Sequence, residues 1–128
     1  MDQKRNNVIV VVAVLAMLCS LSLVFAVETE ATYGYLSHTQ SECFGSKDKG
    51  TLIAAVGHSI WNNKAICGHK LKVRCINGGD SQSCKSSSVT VEVVDLCKGC
   101  DDSIVLSEEA FDIIASIDVG RVKVEYEL

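Results

Sequence analysis

Residues 88–111 read SVTVEVVDLCKGCDDSIVLSEEAF, and this stretch decides the fold. Val89, Val91 and Val93 alternate with Thr90 and Glu92, the period-two pattern of a strand buried on one face. The strand, Ser88 to Leu96, runs into the short loop Cys97-Lys98-Gly99-Cys100 and the acidic pair Asp101 and Asp102. From Glu108 to about Ala115 the period changes. Ala110, Phe111, Ile114 and Ala115 recur at helical spacing, with Ser107 as the cap and Glu108 and Glu109 complementing the positive end of the helix dipole.

Working outward, Leu71 to Ile76 alternates Leu71, Val73 and Cys75 against Lys72 and Arg74, and the chain closes with Val122, Val124 and Tyr126 against Arg121, Lys123 and Glu125. Upstream, Ala31 to Leu36 places Thr32, Tyr33 and Tyr35 around Gly34, a strand composition with a bulge at the glycine. Thr51 to Val56 is a short apolar run ended by Gly57, and Trp61 precedes an Asn62-Asn63 turn. Ser37 to Gly50 and Asn77 to Ser87 offer turn residues without a period and read as loops. About six short strands and one helix make a mainly-β chain, and their spacing favours a compact barrel over a sandwich.

The 128 residues, with no proline and 5% aromatic residues, fit one small domain. Lys4 and Arg5 precede an apolar run, Val8 to Ala26, that exits through Val24-Phe25-Ala26. A basic head, an apolar run and a small-residue exit read as a secretory signal, residues 1–26, cleaved after Ala26, leaving a domain over 27–128. The run is also long enough for a signal anchor. Either way the folded part lies outside the cytoplasm, because the positive charge stays inside. Without Asp2, Lys4 and Arg5, residues 27–128 keep ten basic and fifteen acidic side chains, a net −5. Nucleic acid is a poor partner for such a chain, whose Lys64, Lys70, Lys72, Arg74, Lys85, Lys98, Arg121 and Lys123 are scattered rather than gathered in a stripe.

Of seven cysteines, Cys19 leaves with the signal, and Cys43, Cys67, Cys75, Cys84, Cys97 and Cys100 remain. An even number in a short secreted chain means a disulfide framework, each bridge contributing about 2–4 kcal/mol to a domain of modest core. Six cysteines allow fifteen connectivities, and spacing alone does not choose among them. A zinc site from Cys75, Cys84, Cys97 and Cys100 needs reduced thiolates, which an oxidising compartment disfavours. A redox-active Cys-x-x-Cys opens a helix in a βαβ context, whereas this one follows a strand.

Three motifs then line up: Ala31-Thr32-Tyr33; WNNKAICG over 61–68 with Val73-Arg74-Cys75; and VEVVDLCKGCDDSIVLSEEAF over 91–111. Together they resemble the plant natriuretic peptide family, within the wider group of expansin-like, barwin-like and family-45-endoglucanase-like domains. The resemblance implies a six-stranded double-psi β-barrel, a plant source and secretion to the apoplast; unlike expansins, the chain is expected to hold one barrel and no second carbohydrate-binding domain. It also implies the pairings Cys43–Cys67, Cys75–Cys84 and Cys97–Cys100.

Glycoside hydrolysis needs two carboxylates flanking the scissile bond. In the glycan-cleaving barrels that this chain resembles, one stands early in the first strand region and another just before the Leu-Ser of the final helix. Those positions here are Tyr35 and Val105. Asp95 remains and resembles the groove aspartate of related barrels. It reads equally as a strand-end carboxylate accepting backbone N–H bonds, and Asp101 and Asp102 read as a solvated turn. Trp61 is a candidate sugar platform and, as the single tryptophan, a candidate core residue. Tyr33 and Tyr35 alternate and are expected to share one face. The ligand-binding candidates are therefore Tyr33, Tyr35, Asp95 and Trp61. His38, His58 and His69 show no metal-ligand spacing and no partner nucleophile, so no catalytic residue, metal or cofactor is expected.

The family resemblance implies a non-enzymatic extracellular signal promoting water and ion homeostasis and stress responses, its active region spanning about Tyr35 to Lys70, read by a plasma-membrane receptor. The alternative reading is a wall-polysaccharide-binding module without hydrolase activity. Both describe a monomer with no membrane span once the signal is removed. The secreted protein is expected to begin near Val27 and to gain six hydrogens on reduction, as intact-mass analysis with and without reductant will show; a free thiol or bound zinc would contradict the disulfide framework.

Overall fold

The computed structural model describes residues 25–77 and 83–128. Strands β1 (Val27–Gly34), β2 (Ile53–Val56), β3 (Lys70–Asn77), β4 (Val89–Leu96), β5 (Ile104–Ser107) and β6 (Arg121–Glu127) close into a barrel in the order β1-β5-β2-β4-β3-β6. A helical turn, α1 (His58–Trp61), a helix, α2 (Glu108–Ile114), and a 3-10 turn (Ile117–Val119) complete the described elements. The pairs β1–β5 and β2–β4 are parallel and the other four are antiparallel. The mainly-β double-psi barrel expected from the motifs is the fold that forms.

Two details of the sequence reading change. Strand β1 begins at Val27 rather than Ala31, because its ladder with β6 runs from Val27↔Tyr126 to Thr32↔Arg121 and takes in the polar Glu28, Thr29 and Glu30. It ends at Gly34, in register with Ser107, with no bulge at the glycine. The register shifts lie instead at Ala54/Ala55 and Cys75/Asn77. Strand β5 has too few residues to show alternation, and α1 is a single turn that no period announces. The expected signal lies outside the described residues up to Val24, and Phe25 and Ala26 are exposed without regular structure. The middle of the loop expected over Asn77 to Ser87, residues 78–82, lies outside them too. Among the described residues no helix is long and apolar enough to cross a membrane.

The interior holds Ala31, Ala54, Val56, Leu71, Val73, Val91, Val93, Ile104, Leu106, Val122 and Val124. On β3, β4 and β6 these residues are the apolar half of an alternating strand, and burying a valine, leucine or isoleucine side chain contributes roughly 1.5–3 kcal/mol. Helix α2 packs against β1, β3, β4 and β5 and inserts Ala110, Phe111 and Ile114. Ser107 caps it: its hydroxyl accepts from the Ala110 N–H at 3.3 Å and donates to the Thr51 carbonyl at 2.5 Å. The disulfides are Cys43–Cys67, Cys75–Cys84 and Cys97–Cys100, as the resemblance implied.

The order of strands forces two crossings. Strands β4 and β5 flank β2, so residues 97–103 pass over the end of β2; strands β1 and β2 flank β5, so the strap of residues 35–52 passes over the end of β5. At the first crossing the Gly57 N–H donates to Ser103 O at 3.0 Å and the Ser59 N–H to Asp101 O at 3.2 Å. A Cβ on Gly57 would stand 2.1 Å from the Asp101 carbonyl oxygen, a backbone atom that cannot swing aside. Gly57→Ala is therefore expected to destabilise the oxidised protein by about 3 kcal/mol, the upper end of overpacking costs, and a chemical denaturation curve of the two proteins measures it.

Candidate functional site

The outer surface of the barrel has two characters. Around β3, β6 and β1 it is a charge ladder, with Lys72 opposite Glu127, Arg74 opposite Glu125 and Glu30 opposite Lys123 in register, and with ion pairs Arg74–Glu125 and Arg121–Glu30. Exposed pairs of this kind contribute about 0–1 kcal/mol each and chiefly keep the face wet. Around β2 and β4 the outer residues are Ile53, Ala55 and Val94, which alternate with core residues and yet are buried. The strap accounts for part of this cover. The Cys43 N–H donates to Val94 O at 3.0 Å, Cys43 is bonded to Cys67, and Lys49 lies 3.1 Å from Glu92 and 4.3 Å from the centre of the Phe44 ring. Gly68 makes room for Phe44: its φ of +80° suits glycine, and a Cβ there would meet the ring at 3.3 Å.

Where the strap leaves β1 and crosses the end of β5, a groove of about 270 Å³ opens between it and the first turn of α2. Tyr33 and Leu36 supply apolar wall, His38, Thr51, Glu108 and Glu109 supply polar groups, and Tyr35 stands at the lip with 93% of its surface exposed. Among the described residues no lysine or arginine lines it. On the strap, Asp48 accepts the Gly50 N–H at 2.8 Å and meets Nδ1 of His38 at 3.0 Å; those two contacts, the backbone bond first, hold its carboxyl below the usual carboxylate range. Two other depressions, of about 330 and 350 Å³, lie along the charge ladder and are lined mostly by its polar and charged side chains.

The structure separates the four residues that the sequence grouped. Tyr33 lies within β1 with its ring 4.9 Å from that of Phe111, whereas Tyr35 lies beyond the end of the strand and is exposed. Both still border the groove. Trp61 is 7% exposed and belongs to the core cluster, so its ring is packing and offers no platform to a ligand. Asp95 does not border the groove; its carboxylate accepts the N–H of Leu96 at 2.9 Å and, more weakly, that of Glu42 at 3.4 Å, so it tethers the strap to the end of β4. The groove's own carboxylates, Glu108 and Glu109, were read from sequence as dipole complements. Only the crossing over β5, with Gly34 in register with Ser107, brings the start of α2 beside Tyr35.

The strand register also shows what a hydrolytic pair would need. Thr32, Val105, Ala55 and Asp95 form one row across β1, β5, β2 and β4. Positions 105 and 95 are thus two strand spacings apart, roughly 10 Å, close to the separation of an inverting pair of carboxylates. Val105 leaves that row with one carboxylate. Among the described residues no group of three His, Cys, Asp or Glu side chains is placed to hold a metal ion.

Comparison with known proteins agrees with this architecture. The double-psi barrel family described as "Lytic transglycolase" matches residues 53–126. An EG45-like domain containing protein of Citrus jambhiri is 38% identical over 92% of this chain and 93% of its own, and EG45-like domain containing protein 2 of Arabidopsis thaliana is 35% identical over 79% of each. Among solved structures, the expansin of Clavibacter michiganensis superposes with a TM-score of 0.68 at 24% identity, covering 81% of this chain; the chain spans half the length of that expansin. A mutant of the same expansin, solved in complex with cellohexaose, gives 0.67. The fold, the cysteine framework and these relatives together place the chain in the expansin-like, EG45-like family of double-psi β-barrel domains.

Proposed function

We propose that the chain is a secreted cell-wall module whose groove beside Tyr35 holds a neutral polysaccharide chain without cutting it. The observation that carries this reading is Tyr35 itself: a tyrosine ring exposed over 93% of its surface at the lip of an apolar-walled groove. An amphipathic ring in that position suits the apolar face of a sugar, with its hydroxyl and the groove's polar groups left for the sugar's edge. Glu108 and Glu109 would repel polyuronates by charge, so neutral glucans and xylans are the favoured class. The complex of the related expansin with cellohexaose supports the same class. Retention without cleavage rests on Tyr35 and Val105, which stand where the carboxylates of the glycan-cleaving barrels would be, and on Asp95, whose oxygen is engaged by backbone N–H groups.

A second reading, an extracellular signal of the natriuretic type, is favoured by a different observation. The stretch from Tyr35 to Lys70 is fastened upon itself by Cys43–Cys67 and carries the consecutive left-handed residues Asn62, Asn63 and Lys64 on an exposed turn, a rigid surface of the kind a receptor reads. A cell-swelling assay run beside glycan retention separates the two readings: swelling without retention favours the signal.

On insoluble cellulose and xylan the mature protein is expected to be retained with no release of reducing ends. Tyr35→Ala should lose most of that retention while changing stability by no more than about 0.5 kcal/mol, as expected of an exposed side chain. Trp61→Ala should cost about 3–5 kcal/mol, as expected of a buried aromatic. A binding isotherm and a thermal melt on each variant measure both quantities, and undiminished retention in Tyr35→Ala would remove the groove from the reading.

A further inference from the structure

The three disulfides differ in what surrounds their sulfurs. Cys75 is 7% exposed and belongs to the core cluster, and Cys43, Cys67 and Cys84 pack against that cluster. Among the described residues, Cys97 and Cys100 stand outside it: both are partly exposed, and the two residues between them, Lys98 and Gly99, are exposed. Thiol–disulfide exchange begins when a thiolate reaches one of the bonded sulfurs, so access favours this bridge over the other two.

The segment that carries the bridge is also held without it. The Cys97 N–H donates to Val56 O at 2.8 Å and the Gly57 N–H to Ser103 O at 3.0 Å, so both ends of the crossing are bonded to the end of β2. The Ser59 hydroxyl donates to Asp101 O at 3.1 Å, the Thr29 hydroxyl to Asp102 O at 2.8 Å, and the Ser103 hydroxyl to Cys100 O at 2.7 Å. Gly99 and Asp101 hold left-handed backbone, with φ of +82° and +52°, so the turn is set in the main chain itself. Contacts with β2, α1 and β1 therefore keep residues 97–103 in place with the sulfurs apart. The bridge spans 3 positions, against 24 for Cys43–Cys67 and 9 for Cys75–Cys84, and by chain entropy the shortest loop contributes least to the stability of the fold.

We propose that Cys97–Cys100 is a site of reversible thiol–disulfide exchange, opened by a dithiol of another protein while the barrel and the other two bridges stay closed. A thiolate of the dithiol attacks one of the two sulfurs, the Cys97–Cys100 bond breaks, a mixed disulfide forms, and the other cysteine leaves as a thiolate and takes up a proton. The dithiol's second thiolate then attacks the mixed disulfide and leaves with its own disulfide formed, so two electrons and two protons have passed to this chain, which now holds two thiols. An oxidised partner reverses both steps. The pair follows β4 rather than opening a helix, so no helix dipole stabilises a thiolate here, and the site accepts and returns electrons as a substrate instead of catalysing exchange in other proteins. This crossing lies over the end of β2 and the groove under the crossing of β5, so the proposal is independent of the groove reading.

The test treats the oxidised protein with limiting dithiothreitol, and in parallel with reduced thioredoxin as a protein dithiol, stops each reaction at successive times with an alkylating reagent, and locates the label by peptide mass. Cys97 and Cys100 are expected to be labelled together, about tenfold sooner than the other four cysteines, with either reductant. In that product the Gly57 and Ser103 amides should stay protected from hydrogen exchange, and oxidised glutathione should restore the bridge. The variant carrying both Cys97→Ser and Cys100→Ser should fold, with a denaturation midpoint lowered less than in the variant carrying Cys43→Ser and Cys67→Ser. Opening of either other bridge first or at the same rate overturns the proposal, as does loss of protection at Gly57 and Ser103 when the short bridge opens. Failure of oxidised glutathione to close it again, or of the Cys97→Ser, Cys100→Ser variant to fold, does the same. Opening by dithiothreitol but not by thioredoxin overturns the assignment of a protein dithiol as the partner.

Discussion

The chain between β4 and β5 must pass over the end of β2, the strand that both of them flank, and the rest of the structure depends on how closely it can do so. Parallel neighbours cannot be joined by a hairpin, so a barrel with two parallel pairs needs connections that cross strand ends. Gly57 lets the backbone at Asp101 come within hydrogen-bonding distance of Ser59, which fixes the end of β2, the entry to α1 and thereby the position of Trp61 in the core. The equivalent crossing over β5 is longer and leaves room. One crossing is sealed by backbone contacts; the other, bordered by side chains, is the groove.

The register row across the sheet and the groove under the strap are therefore set by different parts of the fold. The row Thr32, Val105, Ala55, Asp95 belongs to the sheet, and substituting an apolar residue at 105 leaves the barrel closed. Asp95 remains useful because its carboxylate tethers the strap to the end of β4. Asp95 thus supports the segment that shapes the groove.

The barrel was legible in the sequence wherever a strand is long enough to alternate: β3, β4 and β6 each set valines and other apolar residues against polar ones, and the helix shows its cap and its apolar face. Strand β5 was not, because four residues with one partly buried position carry no period. The start of β1 was missed because its polar residues are held by pairing with β6 rather than by burial. The site was only half legible. Tyr35 stands out as an aromatic residue next to a loop, and Trp61 reads as a core candidate from being the single tryptophan, but sequence gives no sign that Glu108 and Glu109 face the strap. Those facts depend on which strand end the strap crosses, a property of topology that no local pattern encodes.

The barrel's closure also limits how anything can dock on it. An open sheet offers its outermost strand to another chain, which can bind by extending the sheet whatever its side chains are. Here each of the six strands has a neighbour on both sides. A partner, whether a polysaccharide or a receptor, must be recognised through side chains and loops, and selectivity is consequently concentrated in the strap and the exposed turn that the disulfide joins.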